Sequence, residues 1–101
     1  MGYFDTIPGI NQFFKAIVAI KNEEECRAFF EDICTIKELQ DISQRLDVAV
    51  MLDAGKNYQE ISKTTGASTA TISRVKKCLV YGSGGYRTAL ERIIGEKGEE
   101  K

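Results

Sequence analysis

Histidine and tryptophan are absent from the 101-residue chain, proline occurs once and cysteine three times. Without an imidazole there is no His general base, no Ser–His or Cys–His pair and no imidazole metal ligand, which removes many enzyme classes at once. Cys26, Cys34 and Cys78 form no C-x-x-C pair, and an odd count behind a start with no leader-like pattern argues against a secreted disulfide framework. The expectation is a reduced, cytoplasmic protein in which Cys26 and Cys78 are small core residues. No apolar run approaches the ~20 residues of a bilayer span. The longest nearly uncharged apolar run is read at Ile17 to Ile20, with Phe13 and Phe14 just before Lys15. Strand patterning, internal repeats, interdomain linkers and metal-ligand spacing are also lacking. The Gly82-Ser83-Gly84-Gly85 run reads as a hinge, because it has neither the lysine nor the preceding strand of a phosphate-cradling loop. These absences point to a protein that is not an enzyme, holds no metal or cofactor and does not enter a membrane.

What is present fits one folded domain over residues 1–101. The apolar share of 43% is that of an ordinary globular chain. A chain this short buries only about 60–70% of its unfolded surface, so burial against a partner adds to stability and a dimer is expected. The net charge of −1 conceals a division. Residues 1–55 carry 5 basic and 10 acidic side chains, whereas residues 56–92 carry 7 basic and 2 acidic, so a net −5 faces a net +5. Localised positive charge of this kind suits a half that meets nucleic acid, or simply a solvated surface.

Almost every segment reads as helix. Pro8 suits a first turn, and Phe13, Phe14 and Ala16 to Ile20 are apolar on nearly every side, the pattern of a helix buried from several directions. Asn22 followed by Glu23, Glu24 and Glu25 opens a second helix, which ends near Cys34. Thr35 and Glu38 form a capping box for a third and longest helix, running through Ile36, Leu39, Ile42, Leu46 and Val50 to Gly55. Its last half, Val48 to Leu52, is again apolar all round, and two such helices in so short a chain predict an interlocked homodimer over about residues 1–55. Asn57 with Glu60 starts a short fourth helix, Gly66 breaks it, and Ser68 caps a fifth running to about Val80. Tyr86 to Ile94 form a last helix stopping at Gly95, and Glu96 to Lys101 make a charged, frayed tail.

Residues 57–80 have the layout of a helix-turn-helix: a short helix, a turn whose glycine accepts positive φ, and a second helix with one locked and one free face. Ile61, Ile72, Val75 and Leu79 supply the inner contacts, while Thr65 fits less well, since a larger apolar residue suits that place. At ~100° per residue the opposite side of the second helix carries Ala70, Ser73, Arg74 and Lys77. Small side chains near the start of a helix and cations beyond are what a major groove requires. The predicted DNA-facing set is Tyr58, Gln59 and Ser62 on the first helix, then Ser68, Thr69, Ala70, Thr71, Ser73, Arg74, Lys76 and Lys77. Hydroxyls and methyls here reach base edges, and only Arg74 offers a bidentate guanine contact, so water-mediated or indirect readout carries much of the specificity.

At Gly66-Ala67 and Ala70-Thr71-Ile72-Ser73-Arg74 the sequence resembles the Trp repressor family, and in particular its Trp-repressor-like relatives in Gram-positive bacteria. The resemblance covers roughly residues 25–93. It implies an all-α fold of about six helices, an intertwined homodimer, and recognition helices entering successive major grooves of a palindromic operator ~34 Å apart. It also implies a corepressor site at Thr35, Arg45, Thr71, Arg74 and Cys78. Val75 departs from the pattern, since the tryptophan binders have glycine there, and three extra carbons overpack the slot by about 1–3 kcal/mol. L-Tryptophan, another amino-acid-like ligand and no corepressor remain the alternatives. Arg45 is otherwise an ion-pair partner of Asp41, Asp47 or a carboxylate of a second chain, and Thr35 an N-cap. The expected function is that of a homodimeric transcriptional regulator, a repressor, on double-stranded DNA; the alternative is a protein-interaction module using the same helices.

Overall fold

The computed structural model describes the backbone of residues 2–99 and the side chains of residues 4–95. Seven helices and no strand occur among the described residues: α1 (Gly2–Asp5), α2 (Ile10–Val18), α3 (Glu23–Ile33), α4 (Ile36–Asp53), α5 (Tyr58–Thr65), α6 (Thr69–Tyr81) and α7 (Gly85–Glu99). The single turn α1 aside, six helices follow the six expected.

Local side-chain chemistry sets most of the boundaries. Asn22 accepts the Glu25 amide and starts α3, while the Glu25 carboxylate accepts the Lys21 amide. At α4 the Thr35 hydroxyl accepts the Glu38 amide at 3.1 Å and the Glu38 carboxylate accepts the Thr35 amide at 2.9 Å, a reciprocal box that satisfies two orphan donors. Asn57 and Glu60 repeat it at α5, and Ser68 caps α6. Two ends differ from expectation. Pro8 lies in the turn before α2 instead of its first turn, because Gly9, at φ 78°, is the N-cap. Gly95 does not stop α7, which continues to Glu99. With no proline beyond it and Glu96 and Lys97 following, an interior glycine costs only about 1 kcal/mol and the helix passes through. The charged tail expected at its end is thus helical as far as Glu99, and positions 100 and 101 lie outside the described residues.

The chain divides into two compact units within α4, between Leu39 and Gln40. In the first, Phe4, Phe13, Phe14, Phe29 and Phe30 form a chain of ring contacts with centroids 5.3 to 6.2 Å apart. No residue of α2 or α3 is buried, however, and Val18 is 83% exposed. The burial from several sides expected for α2 is therefore not met within one chain: a pair of helices this short leaves its aromatic face partly in water. Cys26 is half-buried there.

The second unit holds the core. Val48 and Ala49 of α4, Ile61 of α5, Ala67 of the following turn, Ile72, Val75 and Leu79 along α6, and Leu90 of α7 are buried together. The four residues expected to lock the two short helices are among them. Leu46, Met51, Leu52, Tyr58 and Tyr86 pack around this cluster. Cys78 is exposed, contrary to its expected place in the core, because at ~100° per residue it falls on the flank of α6, beside the Ile72-Val75-Leu79 row and not within it.

Candidate nucleic-acid interface

The turn between α5 and α6 is built from three residues with separate tasks. Gly66 takes φ 78°, a left-handed conformation that costs any residue with a Cβ. Thr65 donates its hydroxyl to the Ile61 carbonyl at 2.7 Å and accepts the Ala67 amide at 3.1 Å. Ala67, nearly fully buried, then seats the turn on the core. The apparent misfit of a polar Thr65 at an inner position is resolved by these two bonds. Gln44, overlooked in the sequence because it is an ordinary polar residue in mid-helix, reaches from α4 to donate to the Thr65 carbonyl at 3.0 Å. It satisfies a carbonyl at the end of α5 and ties the turn to the long helix.

With the inner face of α6 committed, Thr69, Ala70, Ser73, Arg74, Lys76 and Lys77 are exposed and Thr71 is half-buried. Ser68 accepts the Thr71 amide and donates to the Thr71 hydroxyl, both at 3.1 Å, so these two hydroxyls are partly engaged at the helix start. Tyr58 stands beside α6, its hydroxyl 3.5 Å from Ser73 Oγ and its ring 5.9 Å from the Lys76 ammonium. Gln59 is exposed and Ser62 half-exposed on the same side of α5. Arg74, Lys76 and Lys77 form no ion pair with any described carboxylate. The expected set thus forms one open, cationic surface rich in hydroxyls.

Of the residues expected at a corepressor site, Arg45, Thr71, Arg74 and Cys78 line one cavity of about 190 Å³ together with Val75 and Tyr86. Thr35 belongs to the first unit, where its hydroxyl caps α4. Ligand pockets for molecules of drug size begin near ~300 Å³, so this cavity alone is narrow. Val75, 3% exposed, forms one wall. Tyr86, missed by sequence reasoning, contributes the aromatic group: burial and the Cys78 thiol push its phenol above the usual tyrosine range, against the opposing pull of Arg45 and Arg74. A wider depression of about 590 Å³ shares Arg45, Cys78 and Tyr86 and extends along Ile42, Leu46 and Ala89.

A short helix, a tight turn and a second helix with one face locked and one open define a helix-turn-helix protein. The chain belongs to the Trp repressor family: residues 8–94 match the family profile described as Trp repressor protein. It is 54% identical over 84 residues to the uncharacterized protein YerC of Bacillus subtilis (strain 168), covering 83% of this chain and 81% of that one. The crystal structure of a TrpR like protein from Eubacterium eligens ATCC 27750 superposes with a TM-score of 0.84 at 44% identity, over 92% of this chain and 95% of that chain. A Staphylococcus aureus protein whose crystal structure was solved as a candidate Trp repressor gives a TM-score of 0.80 at 47% identity, over 84% and 85% of the two chains. The family is one of regulators and not of enzymes. No helix among the described residues is long and apolar enough to cross a membrane.

Proposed function

We propose that this protein is a homodimeric transcriptional regulator, a repressor, that binds a palindromic site on double-stranded DNA with α6 in the major groove. The observation that carries the reading is the division of α6. Ile72, Val75 and Leu79 are buried, which leaves Thr69, Ala70, Ser73, Arg74 and Lys77 exposed on one cationic face with no described carboxylate paired to its charges. Pairing of two chains is supported by the first unit, in which Phe14, Val18 and Ile33 remain exposed.

Arg74 and Ser73 choose the site through base edges, while Lys76 and Lys77 add sequence-independent attraction to phosphates. Selection from random duplexes at moderate salt tests this. A two-fold symmetric sequence is expected to emerge, and Arg74→Ala is expected to relax preference at a guanine position by about 1–3 kcal/mol. Enrichment of no sequence, together with a protein partner that co-purifies in stoichiometric amount, would transfer these helices to protein docking instead. L-Tryptophan is no part of the proposal, given the narrow cavity and the buried Val75 beside Arg45 and Arg74. A rise in melting temperature on adding it would overturn that exclusion, because a ligand of the native state stabilises it.

A further inference from the structure

Tyr58 lines two depressions and, among the described residues, is the one common to both. The first, about 400 Å³, runs from the α4–α5 turn to α6 and is bordered by Lys56, Asn57, Lys76 and Arg87. The second, about 370 Å³, is lined, besides Tyr58, by Gln59, Ser62, Lys63 and Thr69. Lys56 and Lys63 stand outside the set expected from the sequence, being isolated lysines in a turn and on a helix flank. We propose that the two depressions are seats for consecutive backbone phosphates of one DNA strand, with Tyr58 as the ridge between them. The assignment rests on the DNA-binding reading above and adds Lys56 and Lys63 to it.

Charge supports phosphate as the occupant. In the first seat Arg87 is already paired with Asp53, while Lys56 and Lys76 have no described carboxylate. The α5 end itself is not the anion contact, because the Asn57 amide is occupied by the Glu60 carboxylate at 3.0 Å. The lysine ammoniums are what an anion meets there. In the second seat one ammonium is accompanied by an amide and two hydroxyls, donors of the kind that hold phosphate oxygens without reading sequence. The ridge is fixed by packing of Tyr58 on the core and by its proximity to Ser73, and the ring holds the Lys76 ammonium at 5.9 Å beside the first seat. A small phosphorylated molecule needs one such seat. Two of them, sharing Tyr58 and each lined by a residue of α6, fit a strand that presents one phosphate after another along its length.

Salt dependence of binding measures this directly, and a labelled duplex of mixed sequence suffices because phosphate contacts are blind to sequence. Each neutralised phosphate contributes about 0.9 to the slope of log K against log salt. Lys56→Ala and Lys63→Ala are each expected to lower the slope by about 0.9 per bound protomer, and the double variant by about 1.8, whereas Lys21→Ala in the first unit leaves it unchanged. All three side chains are exposed, so the variants are expected to melt with the parent protein. A steep parental slope unaltered by Lys56→Ala and Lys63→Ala would refute the seats and leave the DNA-binding reading standing. A parent with no salt-dependent affinity for duplex would remove that reading and this one with it. Inorganic phosphate at constant ionic strength that raises the melting temperature of the parent but not of Lys56→Ala would give the seats to a free phosphate compound instead.

Discussion

Thr65 illustrates how a polar side chain can serve better than an apolar one at an inward position. Its hydroxyl is both donor to Ile61 and acceptor for Ala67, so valine, the nearest apolar shape, would leave the Ala67 amide without a partner beside a buried residue. An unsatisfied buried donor costs about 1–3 kcal/mol. Thr65→Val is therefore expected to lower stability by at least 1 kcal/mol in urea unfolding, although hydropathy alone favours the exchange. Tyr86 bears on pH. Its folded-state phenol titrates above the ordinary tyrosine value of 10.0, chiefly through burial. The native state therefore holds the proton after the unfolded chain has released it. The contribution is complete below pH 10.0 and is lost as pH rises through the folded value. Urea midpoints of the parent and Tyr86→Phe, followed from neutral pH into this alkaline range, are expected to diverge, with the parent falling more steeply. Parallel curves would show that the phenol carries no such linkage.

At the scale of elements, the helix starts were legible because their signals are local. Thr35 with Glu38, Asn57 with Glu60, and Ser68 each name the residue that begins a helix, and each makes the bond expected of it. Gly66 was equally plain, since a tight turn requires its positive φ. What escaped notice depends on packing partners distant in sequence. Gln44 meets Thr65 across twenty-one positions, and Tyr86 comes to the Arg45–Arg74 cavity only because α7 folds back on α6. Gly95 misled because a glycine stops a helix when the chain turns there, and α7 has no turn to make. The two glycines therefore predict opposite effects of alanine. Gly66→Ala is expected to cost about 1–2 kcal/mol through the backbone alone, since its Cβ would meet nothing nearer than the Gln44 amide at 3.9 Å. Gly95→Ala, with open space around it, is expected to stabilise by about 0.5–1 kcal/mol. Thermal unfolding of the pair checks both signs.

For the whole molecule, composition shows a division of charge but not the boundary between compact units. The acidic, apolar first half and the basic second half were visible from counting alone, whereas the boundary between compact units falls inside the continuous helix α4. A periodic pattern cannot reveal a boundary that no cap or breaker marks. The exposed Phe14, Val18, Ile33 and Ile36 lead to the expectation that light scattering at micromolar concentration gives twice the 11.3 kDa chain mass. A monomeric mass would contradict the proposed pairing, and Val18→Glu is expected to weaken the pair while leaving the second unit's fold intact.

Two of the helix pairs packed in the second unit, α5 with α6 and α6 with α7, are immediate neighbours along the chain. Only short loops need closing to bring these pairs together, and chains dominated by such local contacts fold in microseconds to milliseconds. Joining two chains is a second-order event that slows as the protein is diluted. In a cell holding few copies, the helix-turn-helix would be complete long before its twin is met. On the proposed homodimeric reading, the delay between synthesis and occupancy of a symmetric site is set by encounter between protomers and not by folding.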